Sequence, residues 1–252
     1  MHHPKCAQRA LPLVVFLFLV GILASAAPAF SEESVDLGNG RIVLVPPNLG
    51  VRAVDEVEPG IEPVWQEMLQ HFAAQERPVT AIERTSGVAL WNDVMAELQK
   101  REEETGQKPG VYDAYALFAQ RVAEQVDYEK IVFPSLVTRV AKVRGSTASW
   151  DGVRQRIDMP SLDVPAIEGL VVAQRGVNGE LAAASLHVAI LQSDGQLFFE
   201  GTGGLALLQE IKPDTRDEIA ATLRDDAFDD DRALREGVEV AFRKPLPASR
   251  AR

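Results

Sequence analysis

Cysteine is nearly missing from this chain: the single one among 252 residues, Cys6, lies ahead of an apolar run near the N-terminus. Once the first 29 residues are removed, no disulfide, thiolate metal site or cysteine nucleophile is possible, so an ordinary apolar core must hold the fold. Histidine is scarce too. Two of the four sit in the first three residues, and the other two, His71 and His187, lack the helical spacing or the neighbouring carboxylate motif of a zinc site. No G-x-S-x-G elbow is present, and Ser185 and His187, two apart on one strand, do not make a triad. Basic residues are outnumbered, 26 Lys and Arg against 37 Asp and Glu, and the net charge of −11 disfavours nucleic acid and anionic lipid as partners. After Ala29 no apolar run is long enough to cross a bilayer.

The N-terminus is where the sequence speaks most clearly. Lys5 and Arg9 precede the uninterrupted apolar run Leu11 to Ala24, which ends in Ala24-Ser25-Ala26-Ala27-Pro28-Ala29. A basic segment, an apolar segment and a small-residue site in that order predict a secretory signal peptide over residues 1–29, cleaved near Ala26 or Ala29, and a periplasmic mature protein. The alternative is an uncleaved anchor, because Ala10 to Ala29 approaches the roughly 20 residues that span a bilayer. Cleavage removes two basic and no acidic residues, which takes the net charge from −11 to −13. About 220 residues then remain, enough for one domain with its own core.

Residues 30–40 have the polar composition of an extended leader. Arg41 to Pro47 reads as a buried strand stopped by two prolines. Val64, Trp65, Met68, Leu69, Phe72 and Ala73 form the apolar stripe of a helix starting near Pro63. Val79 to Ile82 is a second strand, and Ser86 suits the cap of a second helix bearing Leu90, Trp91, Val94, Met95 and Leu98. Lys100 to Gly110 is charged and broken by Gly and Pro, which predicts a mobile connection. A third helix follows, from Val111 to about Asp127. From Lys130 the period becomes two and predicts a long strand to Arg144, with a turn at 146–149 and an antiparallel strand over Trp150–Asp158. Residues 159–168 read as irregular, Gly169–Ala173 as a strand and 175–179 as a turn.

Leu181–Leu191 and Gln196–Leu208, joined at Ser193-Asp194-Gly195, make the strongest hairpin signal. Gly201, Gly203 and Gly204 then mark a bulge, a bend or a close helix approach, not a phosphate cradle, because strand residues follow them. Asp217–Arg224 reads as a short helix. The last helix starts after Asp229-Asp230-Asp231 with the stripe Leu234, Val238, Ala241 and Phe242, and Pro245 stops it. Together these elements predict an α/β (α+β) fold, a mixed and largely antiparallel sheet with helices packed on it, as one compact domain over residues 41–246 before a tail at 247–252. Trp65 and Trp91 lie on core-facing stripes, whereas Trp150 falls at a turn between polar strands. Trp150 and His187 are therefore the candidate interaction residues, and no catalytic, cofactor-binding or metal-ligating residue is assigned.

Arg41 to Pro47, the Asp127 to Val132 approach to the long strand, the Ser185 to Gly204 hairpin and the closing Leu234 to Leu246 give the chain its resemblance to a family of bacterial envelope domains. That family includes the N-terminal domain of TolB, the curli secretion protein CsgG and the penicillin-binding-protein activator LpoB. The resemblance implies a non-catalytic domain whose partners are other envelope proteins or further copies of itself. Several members carry a lipid anchor, but Cys6 precedes the apolar run and is not in the position for lipidation. Two other readings stay open: a periplasmic module binding a small ligand or metal on the sheet face around His187, and a secreted hydrolase with an unrecognised site.

Overall fold

The computed structural model describes residues 34–49, 54–157, 177–213 and 219–243, all within one compact unit, Glu32–Arg252. Residues 1–29, expected to be a signal peptide, the strand expected at Gly169–Ala173 and the expected tail at 247–252 lie outside the described residues. Within them the fold is the predicted α/β arrangement, a mixed and largely antiparallel sheet carrying helices.

β1 (Ile42–Leu44) lies between β2 (Val79–Ala81) and the start of β3 (Lys130–Gly145), parallel to both. The connection from β1 to β2 carries α1 (Ile61–Ala74), and that from β2 to β3 carries α2 (Arg84–Thr105) and α3 (Val111–Ala123). Strand parity sorts the helices onto opposite faces. Ile42, Leu44, Val132, Leu186 and Ile190 pack with Val64, Met68 and Phe72 of α1, together with Leu234, Val238 and Ala241 of α4 (Asp231–Ala241). Val43, Ile131, Phe133, Ala189 and Leu191 pack with Trp91, Val94 and Leu98 of α2 and Tyr115, Phe118 and Val122 of α3. Both faces are thus covered here, which is why β1 and the start of β3 are buried at every position.

β3 is long because it serves two neighbours along one edge. β1 takes its first residues, and β4 (Thr147–Trp150) pairs Lys142 to Arg144. Between them Asn48, buried and at φ 56, donates from Nδ2 to the Leu136 carbonyl and accepts the Leu136 N–H on Oδ1. Its amide stands in for a strand residue. The other edge of β3 pairs along its whole length with β6 (Val177–Gln192), which in turn pairs with β7 (Leu197–Leu207). β5 (Val153–Arg156) follows β4, and β8 (Gln209–Pro213) and β9 (Ile219–Leu223) form a separate two-stranded ribbon.

Several boundaries differ from the sequence expectation. Lys100–Thr105 is helical, not a connection, since Lys, Arg and Glu favour helix and Glu97–Arg101 and Lys100–Glu104 pair one turn apart; Gly106 at φ 71 ends it. α2 begins at Arg84, before Ser86, with Glu83 as its cap residue. The turn expected at 146–149 is shorter, Gly145-Ser146, and the strand expected over Trp150–Asp158 splits at a second turn, Asp151-Gly152. Asp151 and Gly152 both have positive φ, 36° and 80°, as an Asp-Gly hairpin turn of the primed type requires. Residues 177–179 continue β6 instead of turning, and Ile219–Leu223 is a strand instead of a helix, because β8 offers it a ladder. The leader is not simply extended: Val35 bonds to the Phe242 carbonyl, and Val35 and Leu37 are buried.

His71 is structural, stacked on Phe242 at 5.1 Å between centroids and bonded to Gln75 Nε2 at 2.8 Å. Burial lowers its pKa below the ordinary histidine value, Glu239 opposes that shift and Arg77 adds to it. Below about pH 6.5 the unfolded chain therefore takes up the proton more readily than the native one. This contribution to stability is complete above that pH, falls as pH drops toward the depressed native value and then levels off. Urea titrations at about pH 7.5 and about pH 5.5 should show a smaller difference for His71→Phe than for the unaltered protein.

Candidate functional site

β7 lies at the margin of the main sheet, and the direction of its backbone groups follows from the register. Leu136 turns its N–H and C=O toward Asn48, so its neighbour Ser135 faces β6 and bonds with His187. His187 then directs its own backbone groups away from β7, and its partner Thr202 points outward. The same parity holds at Gly204, whose N–H donates outward to the Asp151 carbonyl at 3.1 Å. Glu200 and Thr202 therefore present their N–H and C=O groups at an edge that no strand among the described residues pairs.

On this edge His187 Nε2 meets Glu200 Oε1 at 2.7 Å across the strands. The Tyr112 hydroxyl, from the first turn of α3, approaches the same carboxylate. His187 and Tyr112 hold the Glu200 carboxyl below the usual range, while burial and then the bond to Glu200 push the Tyr112 phenol up to about 12. The Glu200 carboxylate is thus hydrogen-bonded within the protein. Leu197 lies between Glu200 and Gly195, which packs on Ala116 of α3, and it remains 47% exposed. Phe198, 39% exposed, is a bulge residue with the Lys130 ammonium 4.5 Å from its ring centre. The edge is accordingly apolar at one end, and its one carboxylate, Glu200, is bonded to His187.

At the other end the edge is closed. The β4–β5 turn reaches β7, where Asp151 accepts the Gly204 N–H on its carbonyl and the Ser185 hydroxyl on Oδ2 at 2.7 Å, with Arg139 Nε at 3.4 Å from the same oxygen. Trp150, expected as an exposed contact, is buried: its Nε1–H donates to the Ala184 carbonyl at 3.1 Å, and its ring covers Gly204. The correction has a plain cause, since a turn that folds back on the sheet carries its flanking residue inward. His187 is where the sequence placed it, on a sheet face, but with a carboxylate partner that sequence reasoning missed. No group of three or more His, Cys, Asp or Glu side chains among the described residues is placed to hold a metal ion. The acidic run Asp229-Asp230-Asp231 supplies the α4 cap, where Asp230 accepts the Arg232 and Ala233 N–H groups.

Glu200 and Tyr112 carried no sequence signal, because their meeting depends on where α3 crosses the sheet. Asp151 did carry one, the Asp-Gly dipeptide between apolar residues. The chain matches no protein-family model, no curated protein and no solved structure.

Proposed function

We propose that the chain is an exported accessory or assembly protein acting in the periplasm through contacts with other envelope proteins, and that the contact is strand addition at the open edge of β7. The observation that carries this reading is the outward-facing backbone of Glu200 and Thr202 beside the exposed Leu197 and Phe198. Edge strands in proteins that avoid pairing carry Lys or Pro. β7 has neither, and its one charge is engaged by His187. A partner strand gains main-chain hydrogen bonds there and an apolar anchor at Leu197. The secretory N-terminal pattern and the resemblance to envelope domains support the same setting.

Thr202→Pro removes an outward N–H that the β6 ladder does not use, so the fold should persist while strand addition is blocked. A photo-crosslinking residue at position 197 should give an adduct in the producing cells that disappears in the Thr202→Pro background. It should not form from Val140, an exposed apolar residue on β3. An adduct of twice the chain mass identifies a second copy as the partner. Persistence of the adduct in Thr202→Pro, with an unchanged circular dichroism spectrum, would sink the strand-addition reading.

A further inference from the structure

α4 decides what kind of strand the open edge of β7 accepts. A Cβ on Gly203 would strike the Gly237 carbonyl oxygen, and one on Gly201 would strike the Ala241 carbonyl oxygen. The α4 backbone therefore rests directly on β7. Four residues of helix and two of strand each advance about 6–7 Å, so α4 runs lengthwise above β7, on the face opposite Glu200 and Thr202. It also overhangs the edge: Val240 reaches Gly152 in the β4–β5 turn, which lies beyond β7.

Such a roof excludes a second copy of this edge as the partner. In a closed two-fold pair β7 would lie antiparallel to its counterpart, with the same face of both sheets upward. Paired strands are about 4.8 Å apart, whereas packed helices need about 8–10 Å between axes. Two α4 helices, each seated on its own β7, cannot both fit. Any strand backed by a helix on that face meets the same obstacle, so the slot is open only to a bare strand. On the other face Glu200, with its side chain 47% exposed, keeps its charge in a chain of net charge −11. The Lys130 ammonium near Phe198 is buried and paired with Glu129, so it does not compete.

We infer that the strand added at β7 is a lone extended segment of another protein, with a basic side chain beside Glu200 and a small one beside Gly201, beneath α4. This rests on the strand-addition reading and names the partner that edge takes. Opposite charges directly across two strands attract, and a large side chain under α4 would meet main-chain atoms that cannot move aside.

Fluorescence anisotropy of a labelled peptide, Ser-Thr-Ala-Lys-Ala-Leu-Val-Ser, titrated with the purified protein tests the inference. Antiparallel addition sets its Thr against Thr202, its first Ala against Gly201 and its Lys against Glu200. The peptide should bind saturably, and Thr202→Pro should abolish binding. Glu in place of the Lys should weaken it about three- to fivefold, and Glu200→Gln should erase most of that difference. Trp in place of the first Ala should weaken it about tenfold or more. Sedimentation equilibrium of the protein alone should give a monomer. A dimer that Thr202→Pro dissociates would overturn the inference and uphold strand addition. Equal binding of the Lys and Glu peptides, both lost in Thr202→Pro, would do the same, as would no saturable binding while the cellular adduct at position 197 still forms. Peptide binding that Thr202→Pro leaves intact would instead count against strand addition itself.

Discussion

Trp150→Ala is expected to lower the stability of the protein by about 3–5 kcal/mol, the range for deleting a buried tryptophan. The indole packs among Ala148, Val153, Leu181, Ala183 and Leu207, a cluster distinct from the two cores under the helices. It is only 7% exposed, and its N–H satisfies the Ala184 carbonyl. Alanine leaves a void that the surrounding strands cannot collapse into, because Asp151 and Gly204 hold the β4–β5 turn against β7. Trp150→Phe should cost far less. It keeps most of the packing and forfeits chiefly the hydrogen bond, about 1 kcal/mol. Urea denaturation followed by circular dichroism measures both, and hydrogen exchange should locate the loss of protection in β4 and β5. A midpoint shift near zero for Trp150→Ala would mean that the indole is an exposed contact after all.

Gly237→Ala offers a sharper case, because two effects compete with opposite sign. In an exposed helix interior the substitution stabilises by about 1 kcal/mol through helix propensity. Here a Cβ at position 237 would fall on the Gly204 carbonyl oxygen and the Leu205 side chain. A Cβ at Gly203 would strike the Gly237 carbonyl oxygen and the Ala241 nitrogen of α4. These neighbours are mostly main-chain atoms, which cannot swing aside as a side-chain end can. Overpacking of about 1–3 kcal/mol or more should therefore outweigh propensity, and both Gly237→Ala and Gly203→Ala should destabilise. Lifting α4 also exposes Leu234, Val238 and Ala241, which now close one core. Denaturant midpoints for the two single variants and the double variant test this, and the double should cost less than the sum, since once α4 has moved the second methyl meets little further resistance.

Much of this was legible before any coordinates. Val64, Met68 and Phe72 announced α1 and its buried stripe, and Leu234, Val238 and Ala241 announced α4. Alternation along Ile131, Phe133 and Ser135 announced a strand with two different faces. The glycines at 201, 203 and 204 were legible as a bulge, a bend or a close helix approach, and α4 packs directly on Gly201 and Gly203. The misses share a cause. Ile219–Leu223 contains residues at home in a helix, and only the β8 ladder makes it a strand. Trp150 looked exposed because its chain neighbours are polar, yet the turn after it folds onto residues more than thirty positions away.

What the sequence determined by itself was local: the type of the strongly periodic elements, where they carry their apolar side, and a secretory pattern at the N-terminus. Only the tertiary structure decided which edge is open and that Trp150 is buried. Periodicity along one segment reports how its side chains alternate but not what covers them. β7 owes its free backbone to β6 on one side and to the reach of Asp151 at one end.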